Sequence, residues 1–95
     1  MPRPRNRRRI GSKPNITYFK PAGVRMMDLE EITLNIDEWE AVRLTDFLEM
    51  EQIESSKKMG ISQPTFHRLL KSARKKLTEA IIKGKAIRVE GGNFE

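Results

Sequence analysis

The sequence predicts a mainly α domain: three helices, two short flanking β-strands and a disordered basic arm at the N-terminus. Three observations carry this expectation. Apolar residues recur at i, i+3, i+4 and i+7 through Phe66, Leu69, Leu70, Ala73, Leu77, Ala80 and Ile81, the spacing of a long helix with one buried stripe. Upstream, Asp37 with Glu40 three residues later has the spacing of a capping box that opens a helix. β-prone runs at Ile32–Leu34 and Ala86–Val89 bracket the helical part. The arm is read as residues 1–13 and the domain as residues 14–95.

A chain of 95 residues fits one small domain, and oligomerisation would help its stability. It has no cysteine, so neither a disulfide framework nor a thiolate metal site is available. His67 is the only histidine, which rules out a multi-imidazole site. No apolar run approaches the length of a membrane span. The Arg-rich start lacks the apolar segment of a secretory signal, so a cytoplasmic protein is expected.

The net charge is +6, and its distribution says more than its total. Residues 1–25 carry eight Arg or Lys and no acid. Residues 26–54 carry ten acids and one base, Arg43; residues 55–95 carry ten bases and three acids. Basic blocks around an acidic middle imply one surface that meets anions and a different face behind it.

The arm, MPRPRNRRRIGSK, has nothing with which to build a core. Arg3, Arg5, Arg7, Arg8 and Arg9 suit it to lie on phosphates or enter a minor groove. Residues 14–25 read as an ordered loop pinned by Tyr18 and Phe19, which pack on the domain more readily than they stack on bases. The first helix is expected over about 37–49. Trp39, Val42, Leu44, Phe47 and Leu48 spread around it, which implies burial by several neighbours with Trp39 as a core anchor. The acids Glu38, Glu40, Asp46, Glu49, Glu51 and Glu54 read as a solvated face. With no partner histidine or cysteine and no phosphate-cradling glycine loop, they do not suggest an enzyme, a metal site or a cofactor.

A second helix is expected over about 51–59, with Ile53, Ser56 and Met59 on one face. Gly60 then supplies a turn in which positive φ is needed, Ile61 wedges between helices, and Ser62 caps a third helix over about 63–82 with Pro64 in its first turn. Ser56 is small where two helices approach. Pro64, Arg68, Lys71 and Lys75 lie opposite the apolar stripe, His67 and Arg74 flank it on one side and Thr65 on the other, so the polar face carries Gln63, Thr65, His67 and Arg68 early, then Lys71, Arg74, Lys75 and Lys76. This is the layout of a helix-turn-helix whose second helix enters the major groove of double-stranded DNA. Gln63 suits an adenine edge and Arg68 a guanine edge. Thr65 suits a thymine methyl or a phosphate, and His67, Lys71, Arg74 and Lys75 suit the backbone.

The whole chain resembles a family of small, uncharacterised prokaryotic proteins predicted to bind DNA. The match rests on MPRPRNRRRI, the FKPAG loop, DEWEAVRLTDF, MGISQPTFHRLLKSARKKL and GKAIRVEGGNF. The helical part is similar to the helix-turn-helix of sigma-factor region four. This resemblance implies a DNA-binding transcriptional role with Gln63 to Lys75 as the recognition helix. Proteins of this kind often carry a cysteine after the Arg run; Ser12 stands there in this chain, so no metal or redox role carries over. The expected function is sequence-specific transcriptional regulation by a homodimer, without enzymatic activity and without a membrane partner. Docking on the transcription machinery through the acidic stretch, and RNA binding through Tyr18 and Phe19, are the alternatives.

Overall fold

The computed structural model describes residues 7–92 and 94. The fold mixes three helices with a small three-stranded sheet, so it is α/β rather than mainly helical. The strands are β1 (Tyr18–Phe19), β2 (Glu31–Leu34) and β3 (Ala86–Val89), in spatial order β1-β3-β2. β1 lies where a loop was expected. Two residues carry no readable period-2 signal, and its ladder partners Arg88 and Ile87 are remote in sequence. The other two strands pair within the chain, in parallel, with Glu31 opposite Ala86 and Leu34 opposite Val89. A parallel pair needs a long crossover. Here all three helices supply it.

Three helices, α1 (Ile36–Val42), α2 (Gln52–Met59) and α3 (Gln63–Lys83), fill that crossover. α1 starts earlier than expected, because Asn35 and Glu38 offer the same cap spacing as Asp37 and Glu40. The Asn35 N–H donates to Glu38 Oε1 at 2.9 Å, and the Ile36 N–H donates to the carbonyl of Gly91 at 3.0 Å. Beyond Val42 the helix widens into a π-type turn over Arg43–Phe47. That turn explains why Phe47 and Leu48 are 78% and 46% exposed instead of buried. An extra residue per turn rotates the apolar positions off the face that packs on the core.

Two packed clusters hold these layers together. Ala41, Leu44, Met59, Phe66 and Leu70 join the three helices, with Ile10 and Ile61 against them. Leu34, Ala73 and Val89 join the sheet to α3, with Trp39 and Leu77 at the side. Two residues leave the expected stripes. Ile53 on α2 and Ile81 on α3 are both exposed. Ile81 lies about 70° from the centre of the α3 stripe at 100° per residue.

The arm is anchored from Arg8 onward, not free. Arg8 bridges to Phe94, the Arg9 N–H donates to the carbonyl of Met59 at 3.0 Å, and the Gly11 N–H donates to Glu40 Oε2 at 2.8 Å. Sequence composition alone misses this, because single backbone hydrogen bonds and one apolar residue, Ile10, hold the segment down. Arg3 and Arg5 lie outside the described residues.

Candidate nucleic-acid interface

The join between α2 and α3 is built by local hydrogen bonding. Gly60 has φ 68° and ψ 35°, the left-handed conformation that only glycine adopts cheaply. Its N–H donates to the Lys57 carbonyl and that of Ile61 to the Ser56 carbonyl, each at 3.1 Å. This 5→2 plus 6→1 pair is a Schellman closure of α2. Ser62 opens α3 directly after it, its Oγ accepting from the Thr65 N–H at 3.3 Å, and Pro64 sits in the first turn. Ser55 and Ser56 are both buried where α2 meets the rest of the domain. Ser56 Oγ donates to the Ile53 carbonyl at 2.7 Å, which satisfies the hydroxyl locally.

On α3, Gln63, His67, Arg68, Lys71, Arg74 and Lys75 are all exposed. At 100° per residue they fall within an arc of about 140° centred well away from Phe66 and Ala73, with Gln63 at the edge that borders Leu70. Lys71, Lys75 and Arg68 make no ion pair among the described residues. The structure therefore groups these side chains on one cationic, water-facing surface.

Three residues expected at a DNA contact are already engaged inside the chain. Arg74 donates to both oxygens of Asp46, at 2.6 and 3.1 Å. The hydrogen bond to Asp46 raises the Arg74 pKa. Thr65 is half-buried in the α3 cap, its hydroxyl accepting from Ser62 Oγ at 2.9 Å and Arg68 Nη2 at 3.4 Å. Arg8 is drawn inward, with Nε 3.5 Å from Asp37 Oδ2. Lys76, on the same helix, is likewise held by Glu38 at 2.6 Å.

Arg9 moves the other way, toward the site. A Cβ built on Gly60 would lie 2.9 Å from Arg9 Nη2, so the guanidinium rests over the α2–α3 turn. Sequence spacing offers no signal for this: it follows from the Arg9–Met59 backbone bond, which spans fifty residues. Arg7 is exposed beside it in the chain.

Of the acids expected on a solvated face, Asp46, Glu49, Glu51 and Glu54 are exposed, whereas Glu38 and Glu40 are not. Asp37, Glu38 and Glu40 are buried, at 4%, 2% and 2% exposure. Glu38 accepts from Asn35, Ser72 and Lys76, and Glu40 from Gly11 and twice from Arg43. The Glu40 hydrogen bonds raise the Arg43 pKa. The Glu40–Arg43 spacing of three was a readable signal for this pairing. Tyr18 donates its hydroxyl to Glu31 at 2.6 Å, and Arg88 covers its ring with the guanidinium carbon 4.8 Å from the centroid. Its ring face is thus occupied by the chain's own arginine.

Among the described residues, no helix is long and apolar enough to cross a membrane. Comparison with known proteins then places the chain. The family described as "Protein of unknown function DUF134" matches residues 1–95. A UPF0251 protein of Caldanaerobacter subterraneus subsp. tengcongensis is 50% identical over 95 residues, covering 100% of this chain and 80% of that protein. A UPF0251 protein of Dehalococcoides mccartyi is 53% identical over 95 residues, covering 100% and 81%. One from Thermoanaerobacter pseudethanolicus is 51% identical over 94 residues, covering 99% and 80%. No solved structure matches this chain. Matched along its whole length by the family and by relatives about half identical to it, the chain belongs to the DUF134 family, the UPF0251 proteins of bacteria.

Proposed function

We propose that this protein is a sequence-specific DNA-binding regulator of transcription in which α2, the Gly60 turn and α3 act as a helix-turn-helix. The observation that carries the reading is the α3 surface. Gln63, His67, Arg68, Lys71 and Lys75 are exposed along one arc and begin directly after a glycine-closed turn, and the three cations that follow His67 form no direct ion pair among the described residues. A helix presented this way reaches base edges with its first turns and phosphates with its later ones. Arg9 over the turn adds a cation where the backbone of a bound duplex would run.

Selection of bound sites from random duplex DNA, followed by affinity measured against salt, tests the proposal. A reproducible motif, and a log–log salt slope of about −0.9 for each phosphate contacted, is the expected result. A palindromic motif would add a two-fold dimer with its half-site spacing. Recovery of no motif, with binding insensitive to salt, would overturn the reading.

A further inference from the structure

A cavity of about 630 Å³ opens between the sheet, α1 and α3. Its volume falls in the range of small-molecule sites, roughly 300–1,000 Å³. Leu34, Val89 and Ile87 from the sheet, Trp39 and Val42 from α1, and Leu77 from α3 supply apolar walls. Phe19 and Phe47 also line it while staying 50% and 78% exposed, which marks its open side. The π-type turn is what brings Phe47 there.

The polar lining has one sign. It comes from Ser12, Lys13 and Asn15 of the anchored segment and from Arg43, and no acidic side chain takes part. Lys13 is exposed and makes no ion pair among the described residues. Glu40, itself buried, holds Arg43 in place and through Gly11 fixes the segment that carries Lys13. The apolar body and cationic rim are therefore held in a set relation before any ligand arrives, the arrangement that favours binding.

We infer that this cavity binds a small organic anion with an apolar body, the body packed against Trp39 and Leu77 and the carboxylate at Lys13, whose segment is fixed beside Arg43 by their common partner Glu40. The inference does not rest on the DNA-binding reading, since none of these residues lies on the exposed arc of α3.

Trp39 is the only tryptophan and lines the cavity, so its emission follows binding there. The full chain is titrated with octanoate and, in parallel, with 1-octanol, while Trp39 emission is followed. A saturable change with octanoate is expected, with octanol at least about fivefold weaker. Lys13→Glu, a surface change, should weaken octanoate at least about fivefold while leaving the thermal melt and the octanol titration unaltered. Val42→Phe, which fills the cavity, should abolish both titrations in a variant that still melts cooperatively.

No saturable response to octanoate would overturn the site. Equal binding of octanoate and octanol, or indifference to Lys13→Glu, would overturn the anionic ligand. A response that disappears as protein concentration rises, together with dimerisation in sedimentation, would assign the face to a second copy and overturn the inference.

Discussion

Glu38 and Glu40 are removed from water, yet each accepts three hydrogen bonds from surrounding groups. A buried carboxylate is tolerated on those terms, and removing it strands its partners. Glu38→Ala is expected to destabilise the fold by about 2–3 kcal/mol in urea unfolding, below the full value for a buried pair because Lys76 can reach water. On α3 the expected effects divide by engagement. Arg68→Ala should cost on the order of 1–3 kcal/mol on a selected DNA site and relax preference at one base. Lys75→Ala should weaken all duplexes alike and reduce the salt slope by about one contact. Competition assays across sites and salt concentrations separate the two; equal behaviour of both variants would refute the division. At this scale the exposed cations could be read from the sequence, because amphipathic spacing shows which face is wet. The withdrawal of Arg8, Arg74 and Lys76 could not, because their partners Asp37, Asp46 and Glu38 lie 28 or more residues away.

Elements whose chemistry is local were legible; those that borrow partners were not. The α2–α3 turn depends on residues 56–65, and each of its parts — small Ser56, left-handed Gly60, capping Ser62 — belongs to a residue type suited to nothing else there. Gly60→Ala forces an L-residue to φ 68° and pushes Arg9 aside, and is expected to cost about 1–2 kcal/mol in thermal or urea unfolding. Ser56→Leu overfills a closed contact, with an expected loss of about 1–3 kcal/mol. A wild-type melting curve for either variant would refute the close approach described for this turn. By contrast, the start of α1 was misplaced because two overlapping cap patterns exist, and the sheet's contact through Gly91 selects between them. The same non-locality hid β1, and it concealed the cavity, whose lining is drawn from residue 12 to residue 89.

For the whole molecule, charge pairs around the sheet set a pH window. Hydrogen bonds from Arg88 and Tyr18 lower the Glu31 pKa below 4.5, and a hydrogen bond from Lys85 lowers that of Glu79. A lowered carboxylate contributes stability in full above its unfolded value and loses it as pH falls through the folded one. Lys85 is shifted the opposite way, raised above 10.5 mainly by Glu79 and then by Glu30. Its contribution is complete below 10.5 and fades as pH rises through the raised value. Urea midpoints measured across pH should therefore decline on both flanks. Glu79→Gln should flatten both, converging with wild type at the extremes. Parallel curves at every pH would contradict the assignment.

The central strand of the sheet is also the last one in the sequence. β1 and β2 share no backbone ladder, although the Tyr18 hydroxyl reaches Glu31; each pairs along its backbone with β3, which begins 55 residues after Glu31. Until Ala86–Val89 is made, a growing chain holds two unpaired strands on either side of an empty place. Pairing at that separation is slow, since loop closure precedes any gain. The helices can gather first, and the closing strand then locks both ends of the molecule in one event. Refolding should consequently show helix signal ahead of the change in Trp39 emission, because Trp39 packs against the cluster that β3 completes.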